Sequence, residues 1–166
     1  MNINNLVLIT GASQGIGRAI ATRAIEDGYR VINLDKKPPT TLLKDEIFHP
    51  IDLTDVKAIH ELIPILLKHE PIVRLVNNAG FIRPAVLEET TMDDFDAVMA
   101  LNLRAPMLLA QQLLPSMREA KFGRIISIAS RAALGKEERT VYAGSKAGLI
   151  GMTKTWALEM AQYGIT

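Results

Sequence analysis

Two periodicities alternate along the chain: short aliphatic and β-branched runs, then longer stretches whose apolar residues recur one helical turn apart. Leu6–Thr10 reads as a buried strand. Ile16, Ile20 and Ala24 then fall one turn apart, and Gly28 supplies a helix stop. Arg30–Leu34 reads as the second strand, Lys37-Pro38-Pro39 as a loop and Ile47–Ile51 as a short third strand. Thr54 is placed to cap a helix carrying Val56, Ile59, Ile63 and Leu67, with a kink predicted at Pro64. Val73–Val76 is the fourth strand. Thr91, with Asp94 three residues on, resembles a capping box. The helix it opens carries Phe95, Met99 and Asn102 on one inward face, then Leu109 and Leu113. Arg124–Ile128 is the fifth strand, and a last helix runs from near Val141 to about Gln162.

Strands alternating with helices predict an α/β fold, a Rossmann-type doubly wound parallel sheet with helices on both faces. The nucleotide-binding version has six strands, ordered 3-2-1-4-5-6. Five are visible, and a sixth would start at Gly164-Ile165-Thr166. The expectation is one domain over residues 1–166, incomplete at its C-terminal end.

Composition narrows the function classes. Hydrophobic residues make up 48%, enough for a real core, and 19 basic against 18 acidic side chains leave a net charge of +1. That balance gives no electrostatic case for nucleic acid or an anionic membrane. With no Cys there is neither a disulfide nor a thiolate metal site, and no metal is expected. Met1–Asn5 is polar and uncharged, and the apolar run after it is too short for a signal peptide or a membrane span. The expected location is the cytoplasm.

The segment Thr10-Gly11-Ala12-Ser13-Gln14-Gly15-Ile16-Gly17 joins the first strand to the first helix. Gly11 permits a tight turn, Gly15 lets the backbone approach a pyrophosphate, and Gly17 allows close helix packing. Free N–H groups at the helix start, with the helix dipole, are suited to phosphates. Asp35 ends the second strand, 18 residues after Gly17. A carboxylate there can accept hydrogen bonds from ribose hydroxyls and repels a 2′-phosphate, which favours NAD(H); Lys36 and Lys37 keep NADP(H) possible. Asn77-Asn78-Ala79-Gly80 follows the fourth strand, at the carboxyl end where such sheets bind ligands.

Tyr142 and Lys146 are four apart and share a helix face. A free tyrosine, with a pKa near ~10, is a poor base at neutral pH, and a nearby ammonium favours its phenolate. That suits a general acid/base for a carbonyl–alcohol pair. Ser130, at the end of the fifth strand, can hydrogen-bond a substrate oxygen where charge develops, whereas Ser127 sits inside the strand. Asn102 should point inward, and Pro106, lacking an N–H, deprives its carbonyl of the normal helix partner.

These features together resemble the short-chain dehydrogenase/reductase family over essentially the whole chain. The resemblance implies a nicotinamide-dependent oxidoreductase acting on an alcohol or carbonyl, with Asn102, Ser130, Tyr142 and Lys146 as its catalytic tetrad. It implies that Asn102 acts through its carbonyl, by way of a water that relays protons to Lys146, and that Lys146 also binds the nicotinamide ribose. The cofactor-binding set it implies is Gly11, Ser13, Gln14, Gly15, Ile16, Gly17, Asp35, Asp52, Leu53, Asn78, Ala79 and Gly80, with Tyr142 and Lys146. Asp52 matches the family's adenine-contacting aspartate, and reads nearly as well as a helix N-terminal charge. Gln14 stands where NADP-preferring members often carry a basic residue. Family members continue beyond this chain with a sixth strand, a Pro-Gly turn and a substrate loop.

Substrate identity is open at this point: Phe81, Ile82, Leu134 and Arg131 are expected to flank the site. Carrier-bound 3-oxoacyl groups are one alternative, for which Lys121 and Arg124 could form the basic docking patch. A non-catalytic nucleotide-binding module and a purely structural subunit are the competing classes, and the intact tetrad counts against both. A homodimer or homotetramer is expected through the helices after Asn102 and from Val141, which carry extra apolar residues: Met107, Leu108 and Leu114 on one, Leu149, Met152, Trp156 and Met160 on the other.

Overall fold

Every side chain of Leu6–Thr10 is buried, because a central parallel strand carries a packed layer on each face. This strand, β1, occupies the middle of a five-stranded sheet in a computed structural model that describes residues 4–166. Of the polar run Met1–Asn5, only Asn4 and Asn5 fall within the described residues. The other strands are β2 (Arg30–Asp35), β3 (Glu46–Pro50), β4 (Arg74–Asn77) and β5 (Arg124–Ser127). Their order is β3-β2-β1-β4-β5, and every adjacent pair is parallel. The doubly wound sheet read from the sequence is therefore present, with its crossover reversal between β1 and β4, where such sheets open a ligand crevice.

The helices are α1 (Gly15–Glu26), α2 (Val56–His69), α3 (Met92–Met99), α4 (Ala105–Ala120) and α5 (Thr140–Met160). Strand alternation decides which layer each side chain joins. Leu6, Leu8, Ile32, Leu34 and Leu75 meet Ile59 and Ile63 of α2 and Leu109, Leu113 and Met117 of α4. Val7, Ile9, Val31 and Val76 meet Ala21 of α1 on the opposite face. Among the described residues no helix is long and apolar enough to cross a membrane.

Local details depart from the periodicity. α2 is capped by Asp55, whose carboxylate accepts from the N–H groups of Lys57 and Ala58 at 2.9 and 3.2 Å, and not by Thr54. Thr54 is engaged one turn earlier, where its N–H and hydroxyl both donate to Asp52. α2 continues through Pro64, which lies on the exposed face, to His69. Between α3 and α4 the chain widens into one π-helical turn, Ala100–Arg104, in which the Ala105 N–H reaches the Ala100 carbonyl. Pro106 cannot donate, and the wider turn accommodates that loss. The inserted residue shifts the buried face: Val98 and Asn102 are fully buried, Met99 only partly so, and Phe95 is exposed. Ile16 is likewise exposed, at 65%, because the first turn of α1 borders the cleft. β5 ends at Ser127, earlier than expected. Gly164–Thr166 lies parallel to β5, with the Thr166 N–H on the Gly123 carbonyl at 3.0 Å and the Ile125 N–H on the Thr166 carbonyl at 2.9 Å, the place expected for a sixth strand.

Leu109 is fully buried at the junction of α4 with the sheet. Leu109→Ala should lower the free energy of unfolding by about 2–5 kcal/mol, read by urea denaturation as a fall in midpoint at constant slope.

Candidate active site

The glycine loop turns sharply out of β1. Gly11 has φ +67°, and its N–H donates to the Leu34 carbonyl at 2.8 Å, tying the loop to β2. α1 then starts at Gly15 with no side chain capping it and no acid in its first turn. Its leading N–H groups are thus free of side-chain acceptors and open toward the cleft, which is how a helix start receives an anion. A Cβ on Gly17 would stand 2.1 Å from the Gly11 carbonyl oxygen and 2.4 Å from Asn78 Nδ2, so only glycine lets the helix close against its own loop.

Two polar clusters hold this loop. In the first, the buried Thr10 hydroxyl accepts from the N–H groups of Asn78 and Ala79 at 3.0 and 2.9 Å, while the Asn78 amide donates to the Thr10 and Gly11 carbonyls at 2.9 and 3.1 Å. In the second, Asn33, fully buried in β2, accepts from the Ala12 N–H at 3.1 Å and donates to Ser13 Oγ at 3.1 Å and Glu46 at 2.9 Å. Glu46 is itself buried and pairs with Arg18 at 2.6 Å. Sequence reading missed Thr10, Asn33, Glu46 and Arg18. A polar residue inside an otherwise apolar strand was the one available signal for Asn33.

Above the loop opens a cleft of about 750 Å³ at the carboxyl ends of the strands. One end is bordered by Asp35, Lys36, Asp52, Leu53 and Thr54. The Asp35 carboxylate accepts from the Ser13 N–H at 3.1 Å. Asp52 pairs with Lys36 at 2.7 Å. Partial burial works to raise the Asp52 carboxyl, but hydrogen bonds from Lys36 and Thr54 and the Lys36 charge outweigh it and hold the group below its ordinary value.

The other end is bordered by Asn78, Ala79, Gly80, Phe81, Ser130, Tyr142 and Lys146. Lys146, 4% exposed, donates to the Ile128 carbonyl at 2.7 Å, with Nζ 5.8 Å from the Tyr142 ring centre. Burial pushes its ammonium below the ordinary lysine value. Ser130 lies three residues past β5, where its hydroxyl accepts from the Ala132 N–H at 3.2 Å and caps a short 3₁₀ turn, Arg131–Leu134. Ser127 instead meets Thr153 at 3.2 Å and does not border the cleft.

Two of the residues in the expected set stand behind the cleft wall. Ser13 turns toward Asn33, and Asn102 is fully buried. The Asn102 amide accepts from the Phe81 N–H at 3.1 Å, and donates to the Phe81 carbonyl at 3.1 Å and to Ser145 Oγ at 3.0 Å. Ser145 in turn donates to the Tyr142 carbonyl at 2.8 Å. Asn77 is buried within β4 and does not border the cleft, and its amide has no hydrogen-bond partner among the described residues. Phe81 borders the cleft as expected; Ile82, Arg131 and Leu134 do not, while Arg83, which was missed, does. Lys121 and Arg124 sit at the opposite end of β5 from the cleft.

The sequence and the fold match known proteins. A sequence profile of the short chain dehydrogenases matches residues 5–166. The chain belongs to the short-chain dehydrogenase family. It is 37% identical to the 3-oxoacyl-[acyl-carrier-protein] reductase FabG of Thermotoga maritima, over 95% of this chain and 69% of that one. A Leptospira borgpetersenii short chain dehydrogenase with bound NAD+ superposes with a TM-score of 0.91 at 30% identity, over 98% of this chain and 68% of its own. A gluconate 5-dehydrogenase assignment from Beutenbergia cavernae, with bound NADP, gives 0.89 at 27%, over 99% and 70%. The chain thus spans about two thirds of the length of such relatives. Membership makes it an oxidoreductase of the nicotinamide-dependent kind, as its sequence suggested.

Gly17→Ala should cost on the order of 1–3 kcal/mol, because the atoms its methyl meets are backbone and a fixed amide. Chemical denaturation checks this. Stability equal to the parent would show that the loop can open without loss.

Proposed function

We propose that residues 1–166 form one dinucleotide-binding domain whose cleft holds a nicotinamide cofactor, NAD(H) in preference to NADP(H), and carries out oxidation or reduction of an alcohol–carbonyl pair. One observation carries the reading: Tyr142, Lys146 and Ser130 share a cleft with an uncapped helix start. The residues fit such a group. The open first turn of α1 suits the pyrophosphate, and the free oxygen of Asp35 suits ribose hydroxyls. When bound, the nicotinamide supplies or accepts the hydride.

The protein's part is proton handling and orientation. Tyr142 gives its hydroxyl proton to the carbonyl oxygen during reduction and recovers it during oxidation. Ser130 donates a hydrogen bond to the same oxygen as charge builds on it. Lys146, fixed by the Ile128 carbonyl, keeps a positive charge beside the tyrosine ring. The amide of Asn102 is consumed in holding Phe81 and Ser145, which leaves its main-chain carbonyl as the group to hold a relay water. The likeness to the Thermotoga maritima reductase favours one second reading, in which the carbonyl belongs to a carrier-bound 3-oxoacyl thioester.

In the complete protein, Tyr142→Phe should lower kcat at least about 100-fold while the Kd for cofactor stays within about threefold, since the hydroxyl acts on substrate. Steady-state kinetics and calorimetry separate the two, and residual turnover within tenfold of the parent would overturn the role. In the same assay kcat/KM should fall on the alkaline side below the ordinary lysine value of about 10.4, because burial makes the Lys146 proton leave early.

We place the protein in the cytoplasm, as a homodimer or homotetramer pairing α4 and α5. Met107 and Leu158 are exposed there and Trp156 is half-buried, whereas Leu149 and Met160, expected on this surface, belong to the core. Sedimentation of the complete protein at micromolar concentration should show a dimer or larger; monomer alone would exclude it.

A further inference from the structure

Lys36 directly follows Asp35, yet its ammonium is turned away, to Asp52 Oδ2 in the loop after β3, at 2.7 Å. The acceptor is itself fixed. The other oxygen of Asp52 accepts from the N–H and the hydroxyl of Thr54 at 2.9 and 2.7 Å. Arg18, the neighbouring cation on α1, is committed to Glu46 and the Thr41 carbonyl. Among the described residues bordering this end of the cleft, Lys36 is therefore the one cation beside two carboxylates, Asp35 and Asp52, and it is paired with Asp52, the farther of them in sequence. The Asp35 carboxylate, with one oxygen on the Ser13 N–H, is left without a counter-charge from its neighbour.

We infer that Asp52 is a specificity-positioning residue: by holding Lys36 it sets the choice between dinucleotides with and without a 2′-phosphate. This rests on the reading that this end of the cleft receives the adenosine ribose. Held to Asp52, Lys36 leaves the Asp35 carboxylate to repel a 2′-phosphate. Released, its flexible four-carbon stem lets the ammonium approach a phosphate dianion as a mobile point charge. The pair is exposed, with side chains 65% and 40% accessible, so it is weak and salt-screened. The preference for NAD(H) it supports is accordingly modest, and a single substitution can move it. Any contact that Asp52 makes with the adenine is common to both cofactors and cancels in their ratio.

The test is the ratio of the Kd for NADPH to the Kd for NADH, measured by calorimetry on the complete protein. Asp52→Asn keeps the oxygen that Thr54 uses and replaces the one that Lys36 uses by an NH2 group. It should lower the ratio by roughly three- to tenfold, combining a lost exposed pair with one less negative charge near the phosphate. Adding Lys36→Met to D52N should remove most of that gain. Lys36→Met alone should leave the ratio within about twofold of the parent, because the parent lysine is held elsewhere. An unchanged ratio in D52N, a gain that survives in the double variant, or a large rise in K36M alone would each overturn the latch while leaving the nucleotide site standing. Failure of the parent protein to bind either dinucleotide would overturn the site, and the latch with it.

Discussion

The hydroxyl of Thr10 sits where β1 and β4 part, and both halves of the cleft depend on it. It donates toward the Val76 carbonyl at 3.4 Å and accepts the N–H groups of Asn78 and Ala79, which uses the full capacity of one hydroxyl. That fixes the chain leaving β4, so the Asn78 amide reaches back to the glycine loop just where Gly17 leaves room for it. From the same segment the chain continues to Phe81, which Asn102 grips by both backbone groups, and from Asn102 through Ser145 to the Tyr142 carbonyl. A path of largely part-buried hydrogen bonds thus runs from the glycine loop to α5. Each end is set relative to the other without relying on a mobile loop.

That path explains what the sequence made legible. Gly11, Gly15, Gly17, Tyr142 and Lys146 could be placed on one cleft because their positions follow from spacing within one turn or one helix. Ser130 could be separated from Ser127 by counting, and β5 then placed Ser127 against Thr153 and Ser130 on the cleft. Partners distant in sequence were not legible. Asn33 and Glu46 lie on adjacent strands, and nothing local marks their contact with each other or with the loop. Thr54 and Asp55 are both good caps, and only the turn made by Asp52 decides between them. Pro106 pointed to a lost hydrogen bond at Asn102. How the helix absorbs it, by a π turn that rotates Phe95 out and Val98 in, depends on packing against α5.

Charge is handled differently at the two ends of the cleft. Under the loop, Glu46 is buried but fully met, by Arg18, by the Asn33 amide and by the Leu43 N–H, so its desolvation is offset by geometry. Lys146 at the far end is nearly as buried, and the hydrogen bond it is seen to make is to one neutral carbonyl. Its ammonium is correspondingly destabilised. Because the folded-state value lies below the unfolded one, the unfolded chain holds the proton more tightly between the two. Stability therefore rises with pH across that window and is lost as pH falls through the folded value. A fold selected only for stability would place a neutral residue there. An under-solvated cation beside a tyrosine ring, at the cleft end that also holds Ser130, suits the proton transfer proposed above. The destabilisation at Lys146 belongs to its own end of the cleft, whereas the buried carboxylate under the glycine loop is fully paired.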